Sequence, residues 1–293
     1  MSQSASQQEP RDGDVSVNGL KLHYLDWGGD GRPIVILHAT GFLGRIYRPI
    51  AEALTAIGHV YSHDQRGHGD TEHPKGESKH PKTDVFEWDA TVKDLEGFII
   101  AMGLRDVRGF GHSAGGTAIG ALASIRPDLI SRAVLAEPVI FPPEGPQRPN
   151  DLHERTLKRR REFDSVDAMF ANFEKKPPYH TWRRDILREY CEYGTRPDGQ
   201  GKRVLKCPPE VEAAYYDAAR YFDGFGYILA CERPLLILFG ENSDTFDGVA
   251  MKDRLEAGVT HRRVVVVPDT SHFIPMEKPE EVARLAIEFF SAE

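Results

Sequence analysis

Residues 107–125 read VRGFGHSAGGTAIGALASI. A short strand-like run climbs into Gly111-His112-Ser113-Ala114-Gly115, and a helix of small residues leaves at once. A G-x-S-x-G turn between strand and helix presents a serine hydroxyl for nucleophilic attack. Its glycines answer crowding. A serine held in an unfavourable backbone conformation brings strand and helix together, leaving no room for side chains two residues away. The start of the following helix offers a positive dipole and the N–H of Ala114, where an oxyanion needs donors.

On either side, strands and helices alternate. Residues 15–17 and 20–27 alternate about Asn18-Gly19, the signature of a tight hairpin. The runs 33–37, 130–136 and 234–239 are continuously apolar, as strands buried on both faces are. Residues 59–62 and 263–267 read as further strands. Helical spacing marks 47–57, 88–102, 251–256 and 279–290. The pattern predicts an α/β fold with a mostly parallel central sheet covered by helices on both faces. Ligands of such sheets bind beyond the carboxyl ends of the strands. Thr40, Ser113, Glu137, Asp244 and His272 each fall just after a predicted strand.

From residue 142 to 230 the rhythm changes. Prolines 142, 143, 146 and 149 lead into charged helical segments rich in aromatics. Residues 151–206 hold 14 Lys/Arg against 10 Asp/Glu, so this piece is locally basic in a chain of net charge −8. Most of those charges belong to a solvated helical surface, and most of the aromatics to the insert's own core. The expected organisation is a disordered tail over 1–13, a core from 14–141 and 231–293, and a helical cap over 142–230 that sets substrate choice. The positive balance of the cap favours substrates with an anionic end.

Bulk properties narrow the function further. A chain of 293 residues, 40% hydrophobic and 28% charged, has the composition of an ordinary soluble globular protein. The acidic balance argues against nucleic acid as a partner. Cys191, Cys207 and Cys231 are odd in number and widely spaced, which fits neither a disulfide framework nor zinc and points to a reducing cytoplasm. The first residues are polar and lack the apolar stretch of a signal peptide, and no run reaches the ~18 apolar residues of a membrane span. His59, His63, His68, His73 and His80 lie among glycines and prolines that break any i, i+4 pairing, so no metal is expected. Oligomeric state is not legible.

The chain resembles the α/β-hydrolases from about residue 15 to its C-terminus. His38-Ala39-Thr40-Gly41 is similar to the family's oxyanion segment, with Ala39 where glycine is more usual. Asp64-Gln65-Arg66-Gly67-His68-Gly69 resembles the turn after its fourth strand, and residues 271–279, SHFIPMEKP, its catalytic-histidine segment. The resemblance implies Ser113 as nucleophile and His272 as base, with Thr40 and Ala114 N–H groups as the oxyanion hole. The order Ser113, Asp244, His272 matches the chain order of the family's triad. One extra residue separates Gly240 from Asp244, and Glu137 is a second candidate, since some members place the acid after that strand. The polar loop 241–244 favours Asp244, leaving Glu137 at the pocket edge.

The expected activity is serine hydrolysis of a small carboxylic ester through an acyl-enzyme, with lactone or C–C bond hydrolysis as alternatives on the same triad. Serine at the elbow argues against haloalkane and epoxide opening, which in this family use a carboxylate nucleophile. Two other classes compete. Gly109-Phe110-Gly111-His112-Ser113-Ala114 also fits G-x-G-x-x-A, with Glu137 placed as a ribose-binding acid, but a dinucleotide site leaves the His272 segment unexplained. A ligand receptor with an idle triad is the other. No cofactor is expected.

Overall fold

The computed structural model describes residues 9–75, 85–142, 151–257 and 259–292. Six strands come first: β1 (Arg11–Val17), β2 (Leu20–Gly28), β3 (Pro33–Leu37), β4 (His59–His63), β5 (Val107–His112) and β6 (Ile130–Ala136). Interleaved are α1 (Arg48–Leu54), α2 (Trp88–Ala101) and α3 (Ala114–Ile125). The segment from 151 to 230 holds α4 (Asp151–Leu157), β7 (Glu162–Phe163), α5 (Val166–Phe173) and α6 (Arg184–Tyr193). It continues with β8 (Thr195–Pro197), β9 (Arg203–Leu205), α7 (Pro209–Ala218) and α8 (Gly224–Ala230). The chain closes with β10 (Leu235–Gly240), α9 (Gly248–Glu256), β11 (Arg262–Val267), α10 (Ile274–Glu277) and α11 (Pro279–Ser291).

Eight strands form one sheet in the order β1-β2-β4-β3-β5-β6-β10-β11. The β1–β2 hairpin is antiparallel at one edge, and every pairing from β4 to β11 is parallel. The hairpin turns on Asn18 and Gly19, both at positive φ, as a tight two-residue turn demands. The apolar run of β3 shows why its pattern is continuous. Ile34 and Ile36 join the core shared with α1 and α11, while Val35 and Leu37 join the opposite core shared with α2, α3 and α9. A strand buried on both faces has no polar side to alternate with.

The segment 151–230 carries its own small antiparallel sheet, β7-β9-β8. Phe163, Phe173, Trp182, Ile186 and Leu187 are buried there in one cluster with Phe42 and Leu43 of the main domain. The helical character expected for this segment is therefore supplemented by three short strands. The tail expected over 1–13 also needs correction in its described part. Arg11 to Gly13 already belong to β1, and Glu9 forms ion pairs with Arg45 and Arg48. Residues 1–8 of that tail, His80 and the prolines at 143, 146 and 149 lie outside the described residues. Among the described residues no helix is long and apolar enough to cross a membrane.

Candidate active site

Ser113 stands between β5 and α3 with φ 54 and ψ −122, a region that a side chain enters only under strain. The strain is held by close packing on both sides. A Cβ at Gly111 would meet the Gly115 carbonyl oxygen at 2.5 Å, and one at Gly115 would meet that of Leu37 at 2.3 Å. The Ser113 N–H donates to Ala136 O at 2.9 Å, tying the turn to the end of β6.

His272 lies on the loop between β11 and α10. Its Nε2 is 3.1 Å from Ser113 Oγ, and its Nδ1 is 2.9 Å from Glu137 Oε2. A carboxylate only accepts, so Nδ1 carries the hydrogen and Nε2 is left to accept from the serine hydroxyl. Ser113 and His272 meet as the sequence led one to expect. The carboxylate that meets His272 is that of Glu137; Asp244, expected in that place, is not brought to the imidazole.

The physical reason lies in sheet order. β6 runs between β5 and β10, with Ala136 opposite both His112 and Leu238. Glu137, one residue later and at φ 48, turns its side chain into the gap between them and is fully buried. Gly240 N–H donates to its Oε1 at 2.6 Å, and Ser243 Oγ donates to its Oε2 at 2.9 Å. The polar loop after β10 thus serves the acid with donors. Asp244 itself is exposed, its Oδ1 accepting from Thr245 Oγ1 at 3.4 Å, before the chain turns back to bury Phe246 and reaches Asp247, which caps α9. Glu137 takes three donors, a complete shell for a buried carboxylate.

The oxyanion segment is organised by what its neighbours do. Ala39 N–H donates to Tyr47 Oη at 3.1 Å, and Gly41 N–H to His68 Nε2 at 2.9 Å. Between them the Thr40 N–H finds no acceptor among the described residues, nor does that of Ala114 at the start of α3. Three buried histidines lock this frame. His38 accepts Gln65 N–H and donates to Ala39 O, and His68 accepts Gly41 N–H and donates to Arg66 O. His112 accepts from Tyr47 Oη at 2.8 Å and donates to His272 O at 2.9 Å. A continuous line from Ala39 through Tyr47 and His112 therefore reaches the His272 loop. In the sequence His38 is legible only as part of the segment His38-Ala39-Thr40-Gly41, and nothing gives Tyr47 or His112 this bracing role.

Each of these imidazoles needs one bare nitrogen, so each is neutral. Burial holds His38 down to about 4, and His68 and His112 to about 3. In the unfolded chain a histidine titrates near 6.5. The unfolded state therefore binds more protons below that pH, and stability falls as pH falls from about 6.5 toward 4. His23 does the opposite: Asp64 and Asp12 outweigh burial and raise it to about 9, so its contribution is complete below about 6.5 and is lost progressively as pH rises from there through about 9. With buried His63 shifted down as well, we expect unfolding below pH 6.5 to take up about three to four protons, a slope of roughly 4 to 5 kcal/mol per pH unit at its steepest. Urea midpoints measured across pH 4 to 6.5 read it directly. A flat profile there would mean the rings are not buried neutral.

Among the described residues one metal-like grouping occurs, His23 with Asp64 and Asp70. Asp64 there already accepts from His23 Nδ1 and from the N–H groups of Gly44 and Asp70. It braces the turn beneath the oxyanion segment.

A model of the alpha/beta hydrolase family matches residues 34–285. Haloalkane dehalogenase 2 of Mycobacterium tuberculosis is 25% identical over 278 residues, covering 92% of this chain and 91% of that protein. Non-heme chloroperoxidase CPO-A1 of Kitasatospora aureofaciens is 32% identical over 100 residues, so the match spans 34% of this chain and only 33% of that relative's length. The crystal structure of E-2-(acetamidomethylene)succinate hydrolase superposes with a TM-score of 0.80 at 22% identity, covering 97% of this chain and 100% of that one.

Proposed function

The chain belongs to the alpha/beta hydrolase family, and from that premise we propose that it is a serine hydrolase cleaving a small carboxylic ester through an acyl-enzyme. The observation that carries this reading is the hydrogen-bonded line Ser113 Oγ, His272, Glu137. Ser113 Oγ attacks the ester carbonyl while His272 Nε2 takes its proton. The oxyanion is met by the N–H groups of Thr40 and Ala114, each contributing about 3 kcal/mol to lowering the barrier. As the tetrahedral intermediate collapses, the C–O bond breaks and His272 returns the proton to the leaving alcohol. Water then attacks the acyl carbon with His272 again as base, releasing the acid and restoring Ser113. Glu137, as the triad acid in this reading, holds the imidazole in the working tautomer and balances its charge.

The Mycobacterium tuberculosis relative is named a haloalkane dehalogenase. The elbow here carries a hydroxyl in place of the carboxylate that halide displacement uses in this family, which favours acyl transfer. The segment from 151 to 230, lying against Phe42 and Gly41, is the cap that selects the substrate. The test is labelling with a fluorophosphonate, followed by peptide mass spectrometry, alongside turnover of an ester and lactone panel. Stoichiometric modification of Ser113 and loss of ester turnover on labelling are expected. An unlabelled Ser113, or full turnover after labelling, would sink the mechanism.

A further inference from the structure

Directly over the oxyanion segment, four cap elements place polar side chains at one point. Arg159 follows α4, Tyr179 lies in a 3-10 turn, Tyr190 is on α6, and Glu212 and Tyr216 are on α7. Arg159 Nη2 donates to Tyr179 Oη at 3.1 Å and to Tyr190 Oη at 3.0 Å, while Nη1 is paired with Glu212. Tyr216 Oη donates to Glu212 Oε1 at 3.2 Å. The group touches the oxyanion segment itself. Tyr190 Oη reaches the Gly41 carbonyl at 3.4 Å, and a Cβ on Gly41 would lie 2.9 Å from the Glu212 carboxyl carbon. Gly41 is the residue after Thr40.

A buried ion pair is poor evidence of stabilisation, because apolar residues of similar volume usually serve a core as well or better. This one sits among Phe42, Phe173 and Trp182, where such packing was available. Its hydrogen-bond inventory is also unbalanced. Of the five N–H donors of Arg159, three are used among the described residues. Tyr179 and Tyr190 accept from the guanidinium, so their own hydroxyl hydrogens turn away from it, that of Tyr190 toward the Gly41 carbonyl. The indole N–H of Trp182, in ring contact with both tyrosines, is buried without an acceptor. Donors outnumber acceptors, with one carboxylate to answer them. The Arg159 side chain nevertheless retains 20% of its accessible surface.

We infer that Arg159, Tyr179 and Tyr190 form the receptor for a free carboxylate on the substrate, and that the compounds turned over are half-esters of short dicarboxylic acids. The inference rests on the serine-hydrolase reading above. Glu212, itself held by Tyr216, answers the guanidinium charge on one side, while the two unused Arg159 N–H groups and the Tyr179 O–H are the donors left for the ligand. A planar guanidinium backed by hydroxyls suits a carboxylate, which accepts from two donors at once. The closeness of Gly41 to Thr40 requires a short spacer between that carboxylate and the scissile carbonyl.

Monoethyl and diethyl glutarate share one scissile bond and differ in the free charge. The wild type should prefer the half-ester in kcat/KM. In Arg159→Met/Glu212→Gln, which removes both charges together, that preference should fall about 100-fold. Tyr179→Phe/Tyr190→Phe, which removes only hydroxyls, should lower it about tenfold and covers failure of the first variant to fold. Glutarate should raise the melting temperature of the wild type and not of the charge-free variant. An unchanged preference in both variants, a wild type that favours the diester, or equal glutarate shifts would overturn the inference. Fluorophosphonate labelling separates the two readings. An unlabelled Ser113 with a glutarate shift confined to the wild type fails the serine mechanism and keeps the carboxylate receptor.

Discussion

On the serine-hydrolase reading, Glu137→Gln is expected to lower kcat for ester hydrolysis by about 10⁴-fold and Asp244→Asn to stay within about threefold of the wild type. The amide removes the charge that balances the imidazolium. It also breaks the donor pattern, because an amide NH₂ turned toward His272 Nδ1 opposes the hydrogen there. The ring then flips to the tautomer with its hydrogen on Nε2, which cannot accept from Ser113 Oγ. Gly240 N–H and Ser243 Oγ, which now converge on the carboxylate, would hold the replacement side chain in place, so the loss is chemical. Steady-state kinetics on both variants, with circular dichroism to establish folding, decides the matter. A mild effect in Glu137→Gln beside a crippled Asp244→Asn would restore Asp244 as the acid.

Ser113→Ala is expected to lower turnover by about 10⁶-fold, and adding His272→Ala or Glu137→Gln to it should remove little more. The three groups act on one proton, so the loss of the nucleophile leaves base and acid with nothing to do. The residual rate reflects substrate held against the N–H groups of Thr40 and Ala114. If the second substitutions multiply the loss instead, His272 and Glu137 work through some route that bypasses Ser113. The alanine also relieves nothing in the backbone, since position 113 keeps a positive φ whichever side chain it carries.

The parts of this molecule that sequence discloses are those written in adjacent residues. The Asn18-Gly19 turn, the unbroken apolar runs of β3, β6 and β10, and the crowded glycines around Ser113 each express a local requirement. His272 is legible for the same reason, within the segment 271–279. The acid is not local. Whether Glu137 or Asp244 reaches the imidazole depends on the order β5-β6-β10 and on a positive φ at residue 137, neither of which a linear pattern records. The polar residues after β10 were a true signal of a site, but Gly240 and Ser243 donate to the carboxylate from across the sheet. The Arg159 group is harder still. Its members come from four elements, and in sequence they are ordinary charges and aromatics on separate helices.

The adjacency of β5 and β6 has a consequence for how this site can be inherited and altered. Ser113 and Glu137 ride on one β-α-β unit, running from Val107 to Glu137, and His272 alone comes from the far end of the chain. The segment from 151 to 230 lies outside this unit and outside the Gly240 and Ser243 donors, so it can be exchanged without disturbing the spacing of serine to carboxylate. Only the return of β10 and β11 to their places beside β6 has to be preserved. On the proposed reading, in which segment 151 to 230 selects the substrate, that segment is a replaceable cassette framed by two fixed anchors, and new substrates can be acquired without reinventing the reaction.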